Sequence, residues 1–406
     1  MKNSDCLQTV LITGAASGIG LATTHWMAKQ RWRCVMLDRD SKKLEVLKAD
    51  LPESPLGKHL AIDIDLTDSK KIYELVRQVP QLDAIINNAG MSSPSGLPLV
   101  SQNNVDLERV LALNLHAPAH LVEALSSKLT AGARIVNVAS GAGMHAVPWR
   151  GAYSPSKAGL IAQTQALAIE RPDLCVNVLC PGFVRTALVE GLINSGRLDF
   201  GKAVAKIPLG RMAEPDEIAR ALCFLATPGA APISGSAIVI DGGSSSYGGV
   251  AELERASGNK PPLDTPLNLS IFGAEGDWNL LNRSCEADLS YDACLDVTPL
   301  YAHSGMLQQT VLSAATRFFS RHKKNSSLTL LLPHDDDFSW KEIADSRAAQ
   351  MMVTTLACEW GSYALRINAL IVNRNISPRH VYPLVEFVSG AQAQFMTGQN
   401  LVLRNN

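Results

Sequence analysis

Residues 9–13 form a short apolar run that leads without a break into Gly14-Ala15-Ala16-Ser17-Gly18-Ile19-Gly20 and then into a stretch of helical period. A strand that feeds a glycine-rich turn at a helix N-terminus leaves backbone N–H groups pointing outward, and the helix dipole favours phosphate there. Glycine is needed where a side chain would block a pyrophosphate or hold the helix off the sheet. The same spacing occurs in ordinary tight turns, so the surroundings decide. The next strand closes on Asp38, about twenty residues on, where a carboxylate can accept hydrogen bonds from ribose hydroxyls and repel a 2′-phosphate. The glycine turn holds no Lys or Arg to pair such a phosphate, while Arg39 leaves room for one. The pattern predicts a dinucleotide site on Gly14, Ser17, Gly18, Ile19, Gly20, Asp38 and Arg39, with NAD expected ahead of NADP.

The rest of the chain repeats the alternation. Residues 33–37, 60–64, 82–86, 134–138 and 176–179 read as strands, and 21–30, 69–79, 107–125 and 156–170 as helices. Mostly apolar strands separated by helices imply a parallel sheet covered on both faces. A helix at 215–226 and a strand at 237–240 complete a doubly wound α/β domain assigned to residues 1–246. Residues 247–266, rich in Gly, Pro and charge, read as a linker. Residues 267–406 read as a weaker and shorter α/β unit.

Composition narrows the function classes. With 46% hydrophobic and 18% charged residues, the 406-residue chain can bury a large core. A formal charge of -1 gives no electrostatic case for nucleic acid or an anionic membrane surface. No apolar run is long enough to span a bilayer, and residues 1–6 lack the apolar stretch of a cleaved signal. The eight cysteines are scattered, without a CxxC pair, which fits reduced thiols in the cytoplasm. His334 with Asp335, Asp336 and Asp337 reads as a solvated acidic loop, and no metal is expected.

Tyr153 and Lys157 stand four residues apart at the start of a helical stretch, which puts them on one face. A free tyrosine, with a pKa of about 10, is a poor acid–base group at neutral pH, and a neighbouring ammonium lowers that value. Such pairs are common in structural roles, so the neighbouring motifs carry the argument. The run TGAASGIG (13–20), NNAG (87–90), Asn114, Ser140, YSPSK (153–157) and PGFVRT (181–186), in this order, resembles the short-chain dehydrogenase/reductase superfamily across residues 7–246.

The resemblance implies an NAD(P)-dependent oxidoreductase acting on alcohols or ketones. Tyr153 would be the general acid and base, and Ser140 would hydrogen-bond the substrate oxygen. Lys157 would hold the nicotinamide ribose and lower the Tyr153 pKa, and Asn114 would hold a relay water beside Lys157. Asp65 and Leu66 would flank the adenine, and Asn88, Ala89 and Gly90 would line the cofactor. Pro181, Gly182, Val184 and Thr186 would surround the nicotinamide, the last two at its carboxamide. Substrate contacts are expected from loops 91–100, 144–150 and 188–207, with Met91, His145, Trp149 and Leu188 as candidates for a moderately apolar hydroxyl or carbonyl compound.

The second unit echoes the first. Residues 354–372 parallel 164–182, and 387–403 parallel 224–240 at a constant offset of 163. No glycine-rich turn precedes this half, so its nucleotide-binding strands are expected to be mostly deleted. Pairing Leu167 with Leu356 and reading back puts Glu342 and Ser346 at the Tyr and Lys positions, and a one-residue shift puts Ile343 and Arg347 there; neither restores a catalytic pair, so this half should be inactive. By the resemblance, it would replace a partner subunit in an intrachain pseudo-dimer: helices 107–125 and 156–170 would bundle with 306–319 and 346–360. The strands 237–240 and 400–403 would stay available for a homodimer that mimics a tetramer. Three other readings stand beside this one: a substrate-gating or protein-binding second half, a non-catalytic NAD-binding scaffold, and a redox-neutral reaction passing through a transient ketone.

Overall fold

A computed structural model describes residues 8–93, 96–97, 99–249, 253, 260–274, 276–282, 285 and 289–404. The N-terminal stretch 1–6 and most of linker 250–259 lie outside the described residues. The first half runs β1 (Thr9–Thr13), α1 (Gly18–Lys29), β2 (Arg33–Asp38), α2 (Ser41–Asp50), β3 (Leu60–Asp63), α3 (Ser69–Glu74) and β4 (Leu82–Asn87). It continues with α4 (Asn104–Leu111), α5 (Ala117–Ala124), β5 (Leu129–Val138), α6 (Tyr153–Glu170) and β6 (Cys175–Pro181). Then come α7 (Ala187–Asn194), α8 (Phe200–Val204), α9 (Pro215–Leu225) and β7 (Ala237–Ile240). The second half holds β8 (Leu267–Phe272), β9 (Tyr291–Asp296), α10 (Leu307–Arg321) and β10 (Ser327–His334). It ends with α11 (Trp340–Trp360), β11 (Arg366–Asn373), α12 (Pro378–Ser389) and β12 (Asn400–Val402).

The strands of the first half form one parallel sheet in the order β3-β2-β1-β4-β5-β6-β7. Every residue of β1 and β6 is buried, as a parallel sheet covered on both faces requires. The order reverses between β1 and β4, and that opens a crevice above their C-terminal ends. The helix expected at 107–125 is interrupted: a single π turn, Ala112–His116, separates α4 from α5. Such turns carry poorer backbone geometry and persist where tertiary bonds hold them, here those of Asn114.

The second sheet is also parallel, in the order β12-β11-β10-β9-β8. Read from its β12 edge, it repeats the first sheet from its β7 edge inward, through the places of β6, β5, β4 and β1. The expected deletion falls on the counterparts of β2 and β3, for which the described residues hold no strand, while β8 and β9 keep the places of β1 and β4; Gly276–Leu281, a short 3-10 turn, stands where a long first helix would be.

The expected helical bundle is corrected. Helix α6 packs on α4, and α10 packs on α11, each within its own half. The joint lies instead at α9 and the turn Pro228–Ile233, against α12 and the turn Ala391–Ala393. Its physical reason is apolar pairing. Ile218, Leu222 and Leu225 of α9 and Val381, Leu384 and Val388 of α12 enter one core that runs through both halves. The contacts are reciprocal. Arg220 Nη2 donates to Gln392 Oε1 at 3.3 Å, and Gly229 lies against Pro383, whose Cβ would stand 2.9 Å from a Cβ there. Positions 220 and 383, like 229 and 392, are related by the sequence offset, so one contact occurs twice. Phe224 and Phe387, related in the same way, stack with ring centroids 4.2 Å apart. The surface expected to be free for another copy is therefore the intrachain joint, and a groove of about 500 Å³ beside α5 and α6, lined in part by Pro118, Val122, Ala166 and Leu167, stays open.

Phe387→Ala is expected to destabilise the chain by about 3–5 kcal/mol in urea denaturation. In a double-mutant cycle with Phe224→Ala, the pair should couple by about 1 kcal/mol. Additive losses would mean that the stack does not hold the halves together.

Candidate active site

The crevice is held by a clasp between the ends of β1 and β4. Thr13 Oγ1 accepts from the N–H groups of Asn88 (3.0 Å) and Ala89 (2.9 Å). In return, Asn88 Nδ2 donates to the carbonyls of Thr13 (2.9 Å) and Gly14 (3.2 Å). Gly14 takes a left-handed conformation (φ 63), and a Cβ on Gly20 would collide with the Gly14 carbonyl and the Asn88 amide. Ser17 caps α1 without a side-chain hydrogen bond, and the first turn carries no acid. The opening N–H groups of α1, with no acid in the first turn, leave a cradle that fits a pyrophosphate.

Beyond the cradle lies a cleft of about 180 Å³, walled by Gly14, Ser17, Asp38, Arg39, Asp65, Leu66, Ala89, Gly90 and Met91 among others. Asp38 is oriented by two backbone donors, Ala16 N at 3.0 Å and Asp40 N at 3.1 Å. Asp65 is fixed by Thr67 through its N–H (2.9 Å) and hydroxyl (2.8 Å), and the backbone donor leads in holding its carboxyl below the usual range. Across the crevice, Gly18 meets the Thr186 side chain, and Thr186 caps α7. Val184 turns its side chain into the core and pairs through its backbone with Ala213. Pro181 closes β6, and Gly182 leaves no space for a Cβ against Asp241. The residues present fit a dinucleotide.

Helix α6 begins at Tyr153, so Tyr153 and Lys157 lie on one face of its first turns. Tyr153 is half-buried; burial raises its pKa, while a hydrogen bond from Ser140 and the charge of Arg150 lower it. Lys157 is 4% exposed, and its Nζ donates to the Val138 carbonyl at 2.7 Å. Burial brings its pKa down to about 8. Asn114 is fully buried and clamps Met91: Oδ1 accepts from its N–H and Nδ2 donates to its carbonyl, both at 2.9 Å. Its Nδ2 also donates to Ser156 Oγ at 3.0 Å. Asn114 and Lys157 flank Gly90, where a Cβ would lie 3.3 Å from both.

Met91 edges the cleft, whereas His145, Trp149 and Leu188 are exposed on the surrounding loops and α7. Trp149 takes a left-handed conformation (φ 60), uncommon for a bulky residue. The loops expected at the substrate, 91–100, 144–150 and 188–207, contain Ser93, Arg150 and Arg197, though none of the three is singled out there, and Gln102 lies outside them. The available signal was a guanidinium three residues before the tyrosine. His334 stands 3.5 Å from Asp336 in the acidic loop, away from all of this in the second sheet. The described cysteines are free thiols, and among the described residues no helix is long and apolar enough to cross a membrane.

Comparison with known proteins gives this geometry a context. The family described as Enoyl-(Acyl carrier protein) reductase matches residues 14–245. An uncharacterized short-chain type dehydrogenase/reductase, y4vI of Sinorhizobium fredii, is 38% identical over 241 residues, which cover 58% of this chain and 43% of that protein. The chain therefore matches less than half the length of that relative. The 3-oxoacyl-(acyl-carrier-protein) reductase FabG of Thermotoga maritima is 34% identical over 241 residues, 57% of this chain and 96% of that protein. Among solved structures, BdcA in complex with NADPH superposes with a TM-score of 0.52 at 26% identity, covering 58% of this chain and 93% of that one. 4-Hydroxyisoleucine dehydrogenase complexed with NADH gives 0.51 at 29% identity, covering 58% and 97%.

The buried ammonium of Lys157 sets a stability test. Its pKa is about 8 in the folded chain against 10.5 for a free lysine. Between those values the unfolded chain holds more protons, so stability rises with pH across that window, and below it the buried charge costs about 3 kcal/mol. Loss of the bond to Val138 offsets about 1 kcal/mol of that. Lys157→Met should therefore raise the urea midpoint at pH 7, and its advantage should vanish by about pH 10.5. A lower midpoint at pH 7 would contradict the assignment.

Proposed function

Because this chain belongs to the short-chain dehydrogenase/reductase family, we propose that it is an NAD(H)-dependent oxidoreductase of small to medium, moderately apolar alcohols and ketones. The observation that carries the proposal is that α6 presents Tyr153 and Lys157 on one face, with Ser140 acting on the tyrosine and Lys157 and Asn114 beside Gly90, next to a cradle open to a pyrophosphate. When bound, the nicotinamide accepts or supplies the hydride.

The residues of the chain handle the proton and the developing charge. In the oxidising direction the substrate hydroxyl gives its proton to the Tyr153 phenolate, its C–H hydride leaves with the bonding electron pair, and the carbonyl forms. In reduction Tyr153 returns the proton to the developing alkoxide. Ser140 donates to the substrate oxygen, and the same hydroxyl lowers the tyrosine's pKa. Lys157 holds the ribose, and the charge that lowers the Tyr153 pKa in the structure is that of Arg150. Asn114, committed to Met91 and Ser156, keeps the floor of the site in place and leaves its outer lone pair for a relay water.

The carboxylate of Asp38, already oriented by Ala16 and Asp40, supports NAD over NADP. Asp65 and Leu66 take the adenine, and Thr186 with the Val184 backbone takes the carboxamide. Residues 267–406 are read as a degenerate, non-catalytic copy. Glu342 is spent on a capping box with Ser339, and Ser346 accepts from Gln350. The reciprocal joint supports an intrachain pseudo-dimer, and the open groove beside α5 and α6 supports a homodimer of fused chains. The free thiols fit a cytoplasmic setting.

Tyr153→Phe should lower kcat by about 10²–10⁴-fold while NADH affinity stays within about threefold. Asp38→Ser should move preference toward NADP(H) by at least about tenfold, because Arg39 remains to pair the 2′-phosphate. Steady-state kinetics with both cofactors reads both variants. Full turnover by Tyr153→Phe would refute the assigned acid–base role.

A further inference from the structure

The three loops assigned to substrate meet at one point beside Tyr153. Gly151 is in the left-handed region (φ 56), and a Cβ on it would lie 2.9 Å from Ser93 Cβ and collide with the Gln102 amide. Ser93 and Gln102 are buried and bonded to each other at 2.8 Å, so this floor is fixed. Arg197, from the turn after α7, reaches the same place and donates through Nη1 to the Ser93 carbonyl at 3.4 Å. Arg150 precedes Gly151, and the Tyr153 N–H donates to its carbonyl at 3.1 Å.

Arg150 is half-buried, and its guanidinium makes no hydrogen bond or ion pair among the described residues. The charges acting on it are those of Arg197 and Tyr153, with no carboxylate among them. Burial and repulsion by Arg197 both lower its pKa. A partly desolvated guanidinium next to a second one, without a counter-ion, is held at an electrostatic cost that a bound anion removes. The Arg150 fork also matches the planar oxygens of a carboxylate or the oxygens of a phosphate, while Arg197, bonded through Nε to Ser195 and Nη1 to Ser93, adds its charge.

We propose that the substrate is an acidic one, a hydroxy or oxo compound bearing a carboxylate or phosphate ester. Arg150 receives that group, Arg197 supports it, and the reacting oxygen lies at Tyr153. This rests on the oxidoreductase reading and replaces its moderately apolar substrate with an acidic one. Arg150 becomes a specificity residue with a second effect on the chemistry. Its charge stabilises the Tyr153 phenolate in the free enzyme, and a bound anion screens that charge.

The test uses the full chain with NAD and secondary hydroxy acids of three to six carbons, their methyl esters, and glycerol 3-phosphate. Acids should exceed their esters at least tenfold in kcat/KM, and Arg150→Gln should collapse that ratio through KM. Arg150→Lys should retain part of it. In Arg150→Gln the pH midpoint of oxidation should also move upward, since a cation near the phenolate is gone. Which acidic arm is preferred separates carboxylate from phosphate. Binding is read without turnover in Tyr153→Phe loaded with NADH: an oxo acid should raise its Tm, and adding Arg150→Gln should remove the shift. Equal use of acids and esters, an equal loss on both in Arg150→Gln, or no turnover and no Tm shift with any acid would overturn the proposal. Absence of NADH binding, or undiminished turnover by Tyr153→Phe, would instead refute the underlying oxidoreductase reading.

Discussion

The four hydrogen bonds between Thr13–Gly14 and the Asn88–Ala89 segment are the constraint on which the site depends. Adjacent parallel strands diverge where the sheet reverses its order, and nothing in the ladder fixes the loops beyond that point. By tying the end of β1 to the end of β4, the clasp sets the width of the crevice. It also spends the amide donor of Asn88 inside the protein. Gly14 and Gly20 are needed because the clasp brings their backbones within contact distance.

From that point the machinery is assembled outward in layers. Met91 follows the clasp directly and is gripped by Asn114 from the π turn, which ties the crevice floor to α4 and α5. Asn114 in turn touches Ser156 on α6, the helix that carries Tyr153 and Lys157. A buried lysine so close to a buried amide is expensive unless its proton is useful, and the bond to Val138 alone leaves it well below its ordinary pKa. The second half acts from the opposite side. Phe395 accepts from Gly242 through its carbonyl at 2.9 Å and packs its ring under the Arg211 guanidinium, which steadies the segment after α8.

Much of this was legible in the sequence where a local rule acts alone. The bounds of β1 and β7 follow from apolar runs closed by glycine turns, while α6 ends at Glu170 as expected but begins at Tyr153, three residues before the expected start at 156. The break at Ala112–His116 was not legible, because apolar periodicity continues across it and the cause is the distant backbone of Met91. The joint was not legible for a related reason. Periodicity marks the apolar faces of α9 and α12, and of 107–125, but not which faces meet. The offset of 163 did contain the answer in part, since residues that match in a repeat are the ones that meet at a twofold joint, as Phe224 and Phe387 do. Arg150 was visible as a charged loop residue; only the fold shows that no acid accompanies it.

The central claim is that the first half holds a dinucleotide with Asp38 as its selector. The most direct measurement is an equilibrium titration of the full chain with NADH and NADPH, followed by quenching of tryptophan fluorescence. The account predicts saturable quenching by both forms or by NADH alone, with NADH at least about tenfold tighter. Tighter binding of NADPH, or no quenching by either cofactor, would contradict it.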